Sequence, residues 1–134
     1  MIVKDEAGIK DILQKNHVVA IVGFSTDENK GGHYVPKFLK EHGYEIVPVN
    51  TEGLGEKAYA SLKDIPFPVD IVDCFRRAEA MPEIARDAVA IGAKVLWMQK
   101  GIESEEAAKI ASDAGLKVVS DRCMLEQYTE LFLK

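Results

Sequence analysis

Basic side chains that follow apolar runs are the residues of this sequence best placed to do chemistry. The chain carries 17 Lys and Arg against 22 Asp and Glu, a net charge of -5 at pH 7, so a cationic site must be local. Ammonium and guanidinium groups bind phosphate through charge-assisted hydrogen bonds. Taken singly, each is also compatible with an ordinary surface charge; as a group they predict a phosphorylated ligand. They are Lys30, Arg76, Arg77, Lys100 and Arg122.

Two features strengthen this interpretation. Arg76 and Arg77 are adjacent, and adjacent guanidiniums repel each other unless an anion or carboxylates offset their charge. The loop after the first apolar run contains Gly23 and Ser25 and ends in a glycine pair, which permits close approach of backbone to phosphate. The sequence therefore predicts a phosphate site in the first loop, with Asp27 and Glu28 as acidic neighbours.

The nucleotide-binding motifs with the sharpest patterns are absent. Neither GxGxxG nor GxxxxGK[ST] occurs. Asn50 stands at the end of the second apolar run, where an NAD-binding protein usually has Asp or Glu for the ribose hydroxyls. An NAD dehydrogenase or a P-loop nucleotidase is therefore disfavoured, although Glu52 leaves a ribose contact open.

Cys123 is the one candidate nucleophile. It follows Arg122 and opens a predicted helix, and both the cation and the helix dipole would lower the pKa of its thiol. An equally simple interpretation makes Cys123 a small residue that closes the sheet, and Cys74 lies in a predicted buried strand. The sequence contains no CxxC, no HExxH and no metal-ligand spacing of its three histidines, so we expect no metal site.

Size and composition limit the remaining classes. A chain of 134 residues, 47% hydrophobic, suits a single domain over residues 1–134. The acidic balance argues against nucleic-acid binding. The apolar runs fall short of the ~20 residues that span a bilayer, and no secretory start is visible, so we expect a cytoplasmic protein.

Glycine residues mark the boundaries between the helices and strands that must position these residues. Gly43, Gly92 and Gly115 each follow an amphipathic stretch and precede an apolar run, as expected where a helix ends and a strand begins. The pattern predicts an α/β fold, a doubly wound, Rossmann-like parallel sheet of five to six strands with helices on both faces.

Further elements are predicted with less regular patterns. We expect a helix over Asp5 to Lys15 and a helix capped by Ser104. Residues 53–65 are predicted to form a short edge strand around Lys57 to Tyr59 and one helical turn. Near the C-terminus, Tyr128, Leu131 and Phe132 are expected to pack on the sheet.

Five segments together resemble one protein family. In order, they are Val19-Ala-Ile-Val-Gly-Phe-Ser25, Pro48-Val-Asn50, Val69-Asp-Ile-Val-Asp-Cys-Phe-Arg-Arg77, Ile91-Gly-Ala-Lys-Val-Leu-Trp-Met-Gln99 and Asp121-Arg-Cys123. The sequence resembles the small stand-alone CoA-binding proteins, which are similar to the N-terminal CoA-binding Rossmann domain of the succinyl-CoA synthetase alpha subunit. The resemblance extends from about Asp5 to Phe132.

This resemblance implies a set of residues that bind coenzyme A. Those implied near the pyrophosphate are Gly23, Ser25, Thr26 and Lys30. Those implied near the adenosine, along the cleft and beside the thiol arm are Val49, Asn50, Phe75, Arg76, Arg77, Trp97, Gln99 and Gly101. The last three are expected on one loop.

The sequence also departs from the family pattern. The stretch Thr26 to Gly31 replaces a proline-rich first loop, and Met124 replaces a proline after the last motif. In the synthetase, the phospho-histidine belongs to a second domain outside the resemblance, so we do not expect ligase activity to carry over.

Three functions remain open at this point. The first is a non-catalytic module that binds CoA or an acyl-CoA and carries, senses or sequesters it, or serves a protein partner. The second is a thiol-dependent enzyme or redox protein that uses Cys123 on CoA thioesters or disulfides. The third is a binder of NAD(P) or another nucleotide.

Overall fold

A five-stranded, all-parallel sheet forms the centre of the computed structural model, which describes residues 1–50 and 58–134. The strands are β1 (Val18–Val22), β2 (Glu45–Val49), β3 (Ile71–Cys74), β4 (Val95–Met98) and β5 (Lys117–Val119). Their spatial order is β2-β1-β3-β4-β5. This confirms the predicted Rossmann-like α/β fold.

Helices cover both faces of the sheet, which is why the central strands are apolar on both sides. The helices are α1 (Glu6–Lys15), α2 (Gly31–Glu41), α3 (Met81–Ala90), α4 (Glu105–Asp113) and α5 (Met124–Phe132). On one face, α3 and α4 pack against residues such as Val72 and Leu96. On the other face, α1, α2 and α5 pack against residues such as Ile71 and Trp97.

Helix starts follow the capping residues in the sequence. Asp5 accepts a hydrogen bond from the N–H of Gly8, which confirms the predicted first helix. Ser104 caps α4 by accepting from the N–H of Ala107, as expected. Cys123 is the N-cap position of α5, so that helix opens where the sequence indicated.

The predicted edge strand is reduced to a single contact. Tyr59 forms an isolated parallel bridge with Val49, and a 3-10 turn over Leu62–Asp64 supplies the expected helical turn. Lys57 and Glu52 fall outside the described residues. At the C-terminus, Tyr128, Leu131 and Phe132 pack against the core cluster on the face that Trp97 shares, where α5 contacts α1 and α2. No helix within the described ranges is long and apolar enough to cross a membrane.

Candidate functional site

An open pocket of about 560 Å³ lies where the strand order changes direction. The chain leaves β1 toward β2 on one side, and it returns to β3 on the other side. In open α/β sheets, ligands bind at this point, beyond the carboxyl ends of the strands. We call it the switch-point pocket; its lining residues are Gly23, Phe24, Ser25, Thr26, Lys30, Gly31, Gly32, Asn50, Phe75 and Arg76.

Two glycines let the first loop approach its neighbours closely. Gly23 follows β1 directly with a φ of +92°, and a Cβ there would lie 3.0 Å from the carbonyl oxygen of Phe75. A Cβ on Gly32 would lie 2.5 Å from the carbonyl oxygen of Gly23. Helix α2 can therefore begin directly against the end of β1 only because residue 32 has no side chain.

Hydrogen bonds fix the remainder of the loop. The N–H of Ser25 donates to the carbonyl of Gly32 at 3.1 Å, and Nδ1 of His33 lies 2.9 Å from the carbonyl oxygen of Ser25. Directly after β2, Nδ2 of Asn50 donates to the carbonyl oxygen of Phe24 at 2.7 Å. The first loop, the start of α2 and Asn50 after β2 therefore together fix the wall of the pocket.

Asp27 is engaged with the backbone of its own loop. Oδ1 of Asp27 accepts from the N–H of Asn29 at 3.0 Å, while the carbonyl of Asp27 accepts from the N–H of Lys30. Asp27 and Glu28 do not line the pocket. The formally charged side chains that line the pocket are therefore those of Lys30 and Arg76.

Positive potential in the pocket comes from three sources. Lys30 and Arg76 line it, and neither forms an ion pair with any residue in the described ranges. Helix α2 begins at Gly31 with no acidic residue in its first turn, so its dipole adds partial positive charge there. The arrangement suits an anion with several oxygens.

The structure brings some of the residues expected to bind the ligand together and places the others elsewhere. It brings seven of them together in the switch-point pocket: Gly23, Ser25, Thr26, Lys30, Asn50, Phe75 and Arg76. Val49 is buried beneath the pocket, and Arg77 and Gly101 are exposed outside it. Phe24 was missed, and its place between Gly23 and Ser25 in the first loop is the signal that marks it.

The loop placement of Trp97 is wrong. Trp97 lies within β4 and is fully buried, because α1, α2 and α5 cover the face of the sheet to which its side chain belongs. Its Nε1 donates to the carbonyl oxygen of Arg122 at 2.7 Å. It thus supports the turn that leads into α5. Gln99 directly follows β4 and is 4% exposed.

A second pocket of about 340 Å³ adjoins the first. Gly31 and Phe75 line both, so the Phe75 ring stands at their common border. We call it the Cys123 pocket. Its other lining residues are Tyr34, Val35, Gln99, Lys100, Ile102, Cys123 and Glu126.

Asp73, in β3, is a functional-site candidate that sequence reasoning missed. It is fully buried, and its Oδ1 accepts from Nε2 of Gln99 at 2.6 Å. Burial raises the pKa of the Asp73 carboxyl to about 8, because the charged form loses its hydration. A carboxylate within the apolar run Ile71-Val72-Asp73-Cys74 is the signal that could have revealed it.

Of the two interpretations of Cys123, the environment of its thiol opposes the activated one. Burial raises the pKa of its thiol above the ordinary value, although backbone N–H groups at the start of α5 act in the other direction. The neighbouring Arg122 does not offset this, since its guanidinium donates to the carbonyl of Lys4 at 3.0 Å. Cys74 is fully buried, as expected of a core residue. The environment of Cys123 therefore opposes formation of the thiolate.

Comparison with known proteins agrees with this geometry. Residues 17–129 match the family described as CoA binding domain. The uncharacterized protein YneT of Bacillus subtilis is 42% identical over 122 residues, with 89% of this chain and 90% of YneT covered. The alpha subunit of acetate–CoA ligase [ADP-forming] II from Pyrococcus furiosus is 30% identical over 120 residues, which cover 79% of this chain and 26% of that subunit.

Solved structures share the fold over nearly the whole chain. The Thermus thermophilus protein cell-free ID.343 superposes with a TM-score of 0.91 at 34% identity, covering 96% of this chain and 100% of that one. A hypothetical protein from Pyrococcus horikoshii OT3 gives a TM-score of 0.91 at 37% identity, with 96% and 92% covered. Sequence and fold agree, and the chain belongs to the family of CoA-binding domain proteins.

Proposed function

We propose that this protein binds coenzyme A or an acyl-CoA in the switch-point pocket and is not itself catalytic. The observation that carries the proposal is the pairing of Lys30 and Arg76 beside the uncapped start of α2 in a net-acidic protein. CoA presents several phosphate groups to such a site, and charge-assisted hydrogen bonds to phosphate are among the stronger polar contacts in proteins.

The lining also suits the rest of the nucleotide. Phe24 and Phe75 offer apolar surface for an adenine ring, while the glycine pair at the start of α2 lets phosphate oxygens approach the backbone. Membership in the CoA-binding domain family supports coenzyme A over other phosphorylated ligands.

The absence of catalysis is proposed on two grounds. This chain corresponds to 26% of the acetate–CoA ligase subunit that it resembles, so the ligase reaction is not assigned to it. The thiol of Cys123 has a raised pKa, which opposes formation of the nucleophilic thiolate.

NAD(P) binding is the less favoured alternative. A ribose diol is usually bound by a carboxylate at the end of the second strand. Here Asn50 occupies that place, and its amide donates to the carbonyl of Phe24. A donor already engaged with the first loop is poorly suited to replace that carboxylate.

Calorimetric titration of ligand-stripped protein with CoA, NAD and ATP tests the proposal. We expect saturable binding selective for CoA, and mass spectrometry of the protein as purified checks for retained CoA. Lys30→Ala and Arg76→Ala should each weaken CoA binding by about 1.5–3 kcal/mol, because each removes a charged hydrogen-bond donor.

Two exposed residues provide matched controls. Lys37 lies on α2, and Arg77 follows Arg76, but neither lines the pocket. Lys37→Ala and Arg77→Ala should leave the CoA affinity within a factor of about two, since exposed charges away from the ligand contribute little. Equal losses in all four variants, or no CoA binding by folded protein, would refute the proposed site.

A further inference from the structure

Lys100 lies on a tight turn at the border of the Cys123 pocket. The turn follows β4 directly and is closed by a hydrogen bond from the N–H of Ile102 to the carbonyl oxygen of Gln99 at 2.9 Å. Gly101, its third residue, has a φ of +86°, as this kind of turn requires. The N–H of Gly101 also donates to Oδ1 of Asp121 at 2.6 Å. The backbone that carries Lys100 is therefore fixed from two sides.

An exposed ion pair holds the side chain of Lys100 beside this pocket. Its ammonium group lies 3.3 Å from the carboxylate of Glu126 on α5, and both side chains line the Cys123 pocket. The two side chains are 69% and 54% exposed. Ion pairs between exposed side chains contribute about 0–1 kcal/mol. The nitrogen of Lys100 therefore stays near the pocket but can leave Glu126 at little cost.

This position matters once an acyl-CoA is bound. The Cys123 pocket meets the switch-point pocket at Gly31 and Phe75. The family resemblance implies that the thiol arm of CoA runs beside Gln99 and Gly101, which are the two neighbours of Lys100 in the chain. In an acyl-CoA, the thioester carbonyl lies at the end of that arm. An amine and an electrophilic carbon would then lie close together.

We propose that Lys100 is a self-acylation site, whose ε-amino group takes the acyl group from an acyl-CoA bound to the same protein molecule. This inference rests on the proposed binding of CoA or an acyl-CoA. Each chain can react only once at this lysine, so the step is a covalent modification of the protein and involves no turnover.

The step is an aminolysis of the thioester. The ammonium group of Lys100 loses a proton to water, and the neutral nitrogen attacks the carbonyl carbon. A C–N bond forms, the C–S bond breaks, and the electron pair of that bond leaves with the sulfur of CoA. Of the two protons that the nitrogen loses in total, one ends on this sulfur and one on water. Proximity favours the reaction, because a group held beside its target reacts as if it were highly concentrated.

Lys109 and Lys134 are matched comparators within the same chain. Their side chains are 76% and 66% exposed, and each forms an ion pair with an acidic residue four positions away, at 2.6 and 3.1 Å. Neither lysine lines the switch-point pocket or the Cys123 pocket. Since exposure and ion pairing resemble those of Lys100, a difference in acylation rate reports on position relative to the bound donor.

Initial acetylation rates at these three lysines test the inference. Ligand-stripped wild-type protein is incubated with saturating acetyl-CoA at pH 8, and acetylated peptides are quantified by mass spectrometry. We expect Lys100 to be acetylated at least tenfold faster than Lys109 or Lys134. An excess of adenosine 3′,5′-bisphosphate, which carries no thioester, should remove this preference by competing for the nucleotide site. Equal rates at the three lysines would overturn the inference.

A donor without the nucleotide provides the second control. S-acetyl-N-acetylcysteamine carries the same thioester but has no phosphate for Lys30 and Arg76. It should acetylate Lys100, Lys109 and Lys134 at similar rates, because nothing holds it beside Lys100. A preference for Lys100 with this donor as well would show that Lys100 is simply more reactive, and transfer from bound acetyl-CoA would be overturned.

The route of the acyl group is tested separately. For transfer within one molecule, the fraction of Lys100 acetylated per minute should not depend on protein concentration. A rate that rises with protein concentration would contradict this route. Acetylation of Cys123 that precedes acetylation of Lys100 would show a relay through the thiol and would overturn direct transfer. Lys100→Arg, which keeps the positive charge, should lose the fast phase of acetylation measured on the whole protein.

Calorimetry with acetyl-CoA distinguishes failure of this inference from failure of the proposed function. Saturable binding without preferential acetylation of Lys100 would overturn self-acylation and leave the proposed function intact. Absence of binding by folded protein, with both CoA and acetyl-CoA, would reject both.

Discussion

Nδ2 of Asn50 donates to the carbonyl oxygen of Phe24 across the ends of β2 and β1, at 2.7 Å. This contact ties the first loop to the sheet at the floor of the switch-point pocket. It also fixes which end of the amide faces that loop, because only the nitrogen can donate.

Asn50→Asp should weaken CoA binding about tenfold or more. The carboxylate has the same shape but cannot donate to the carbonyl of Phe24, and it places negative charge near the phosphates. Calorimetry with CoA and NAD measures the effect. A gain of NAD affinity with no loss of CoA affinity would show that Asn50 acts only as a selectivity residue and does not hold the loop.

Gly32→Ala should destabilise the fold by about 1–3 kcal/mol, since the new methyl group would lie 2.5 Å from the carbonyl oxygen of Gly23. Urea denaturation measures the loss. Gly31→Ala is the control: its Cβ would meet the movable ring of Phe75 at 3.2 Å, and we expect a smaller change. Equal stability of the two variants would contradict the close approach of α2 to β1.

Asp73→Asn should flatten the dependence of stability on pH. The pKa of Asp73 is about 8 in the folded protein, above its value of roughly 4 in an unfolded chain, so the folded state binds the extra proton between these values. Wild-type stability contributed by this group is therefore lost as the pH rises from about 4 to about 8.

The difference in unfolding free energy between Asp73→Asn and the wild type should shift in favour of the variant by up to about 1.4 kcal/mol per pH unit in that window. Denaturation at pH 5, 6, 7 and 8 gives the slope. A constant difference would mean that Asp73 is ionised throughout.

Trp97→Phe should cost about 2 kcal/mol of stability, because it leaves a small void and removes the hydrogen bond to the carbonyl of Arg122. Binding of adenosine 3′,5′-bisphosphate should remain unchanged, since Trp97 does not line the switch-point pocket. Thermal unfolding and calorimetry check the two halves of this expectation. Loss of nucleotide affinity in a well-folded variant would show that Trp97 contributes to the ligand site after all.

The architecture was predictable because local signals agreed with it. Glycines after helices, capping residues such as Ser104 and uninterrupted apolar runs each report on a few neighbouring residues. The basic residues Lys30 and Arg76 could likewise be assigned to one edge, since the carboxyl ends of parallel strands meet there.

The errors arose where long-range packing decides. An apolar run does not show where its strand ends, so the sequence predicts a loop at Trp97 although this residue lies inside β4. The partnership of Asp73 with Gln99 depends on the pairing of β3 with β4, which brings residues 26 positions apart together. Cys123 has the predicted neighbours in sequence, but its burial determines the direction of its pKa shift.

The shared border at Phe75 has a consequence for selectivity. A ligand with two linked parts, one charged and one uncharged, can bind across the ring as a bivalent ligand does, and the second part then binds at a high effective concentration. Its affinity can exceed that of either part by orders of magnitude without any single strong contact. A free nucleotide carries the charged part but lacks the linked arm. It would therefore occupy only one side of the Phe75 ring and dissociate faster than the linked ligand.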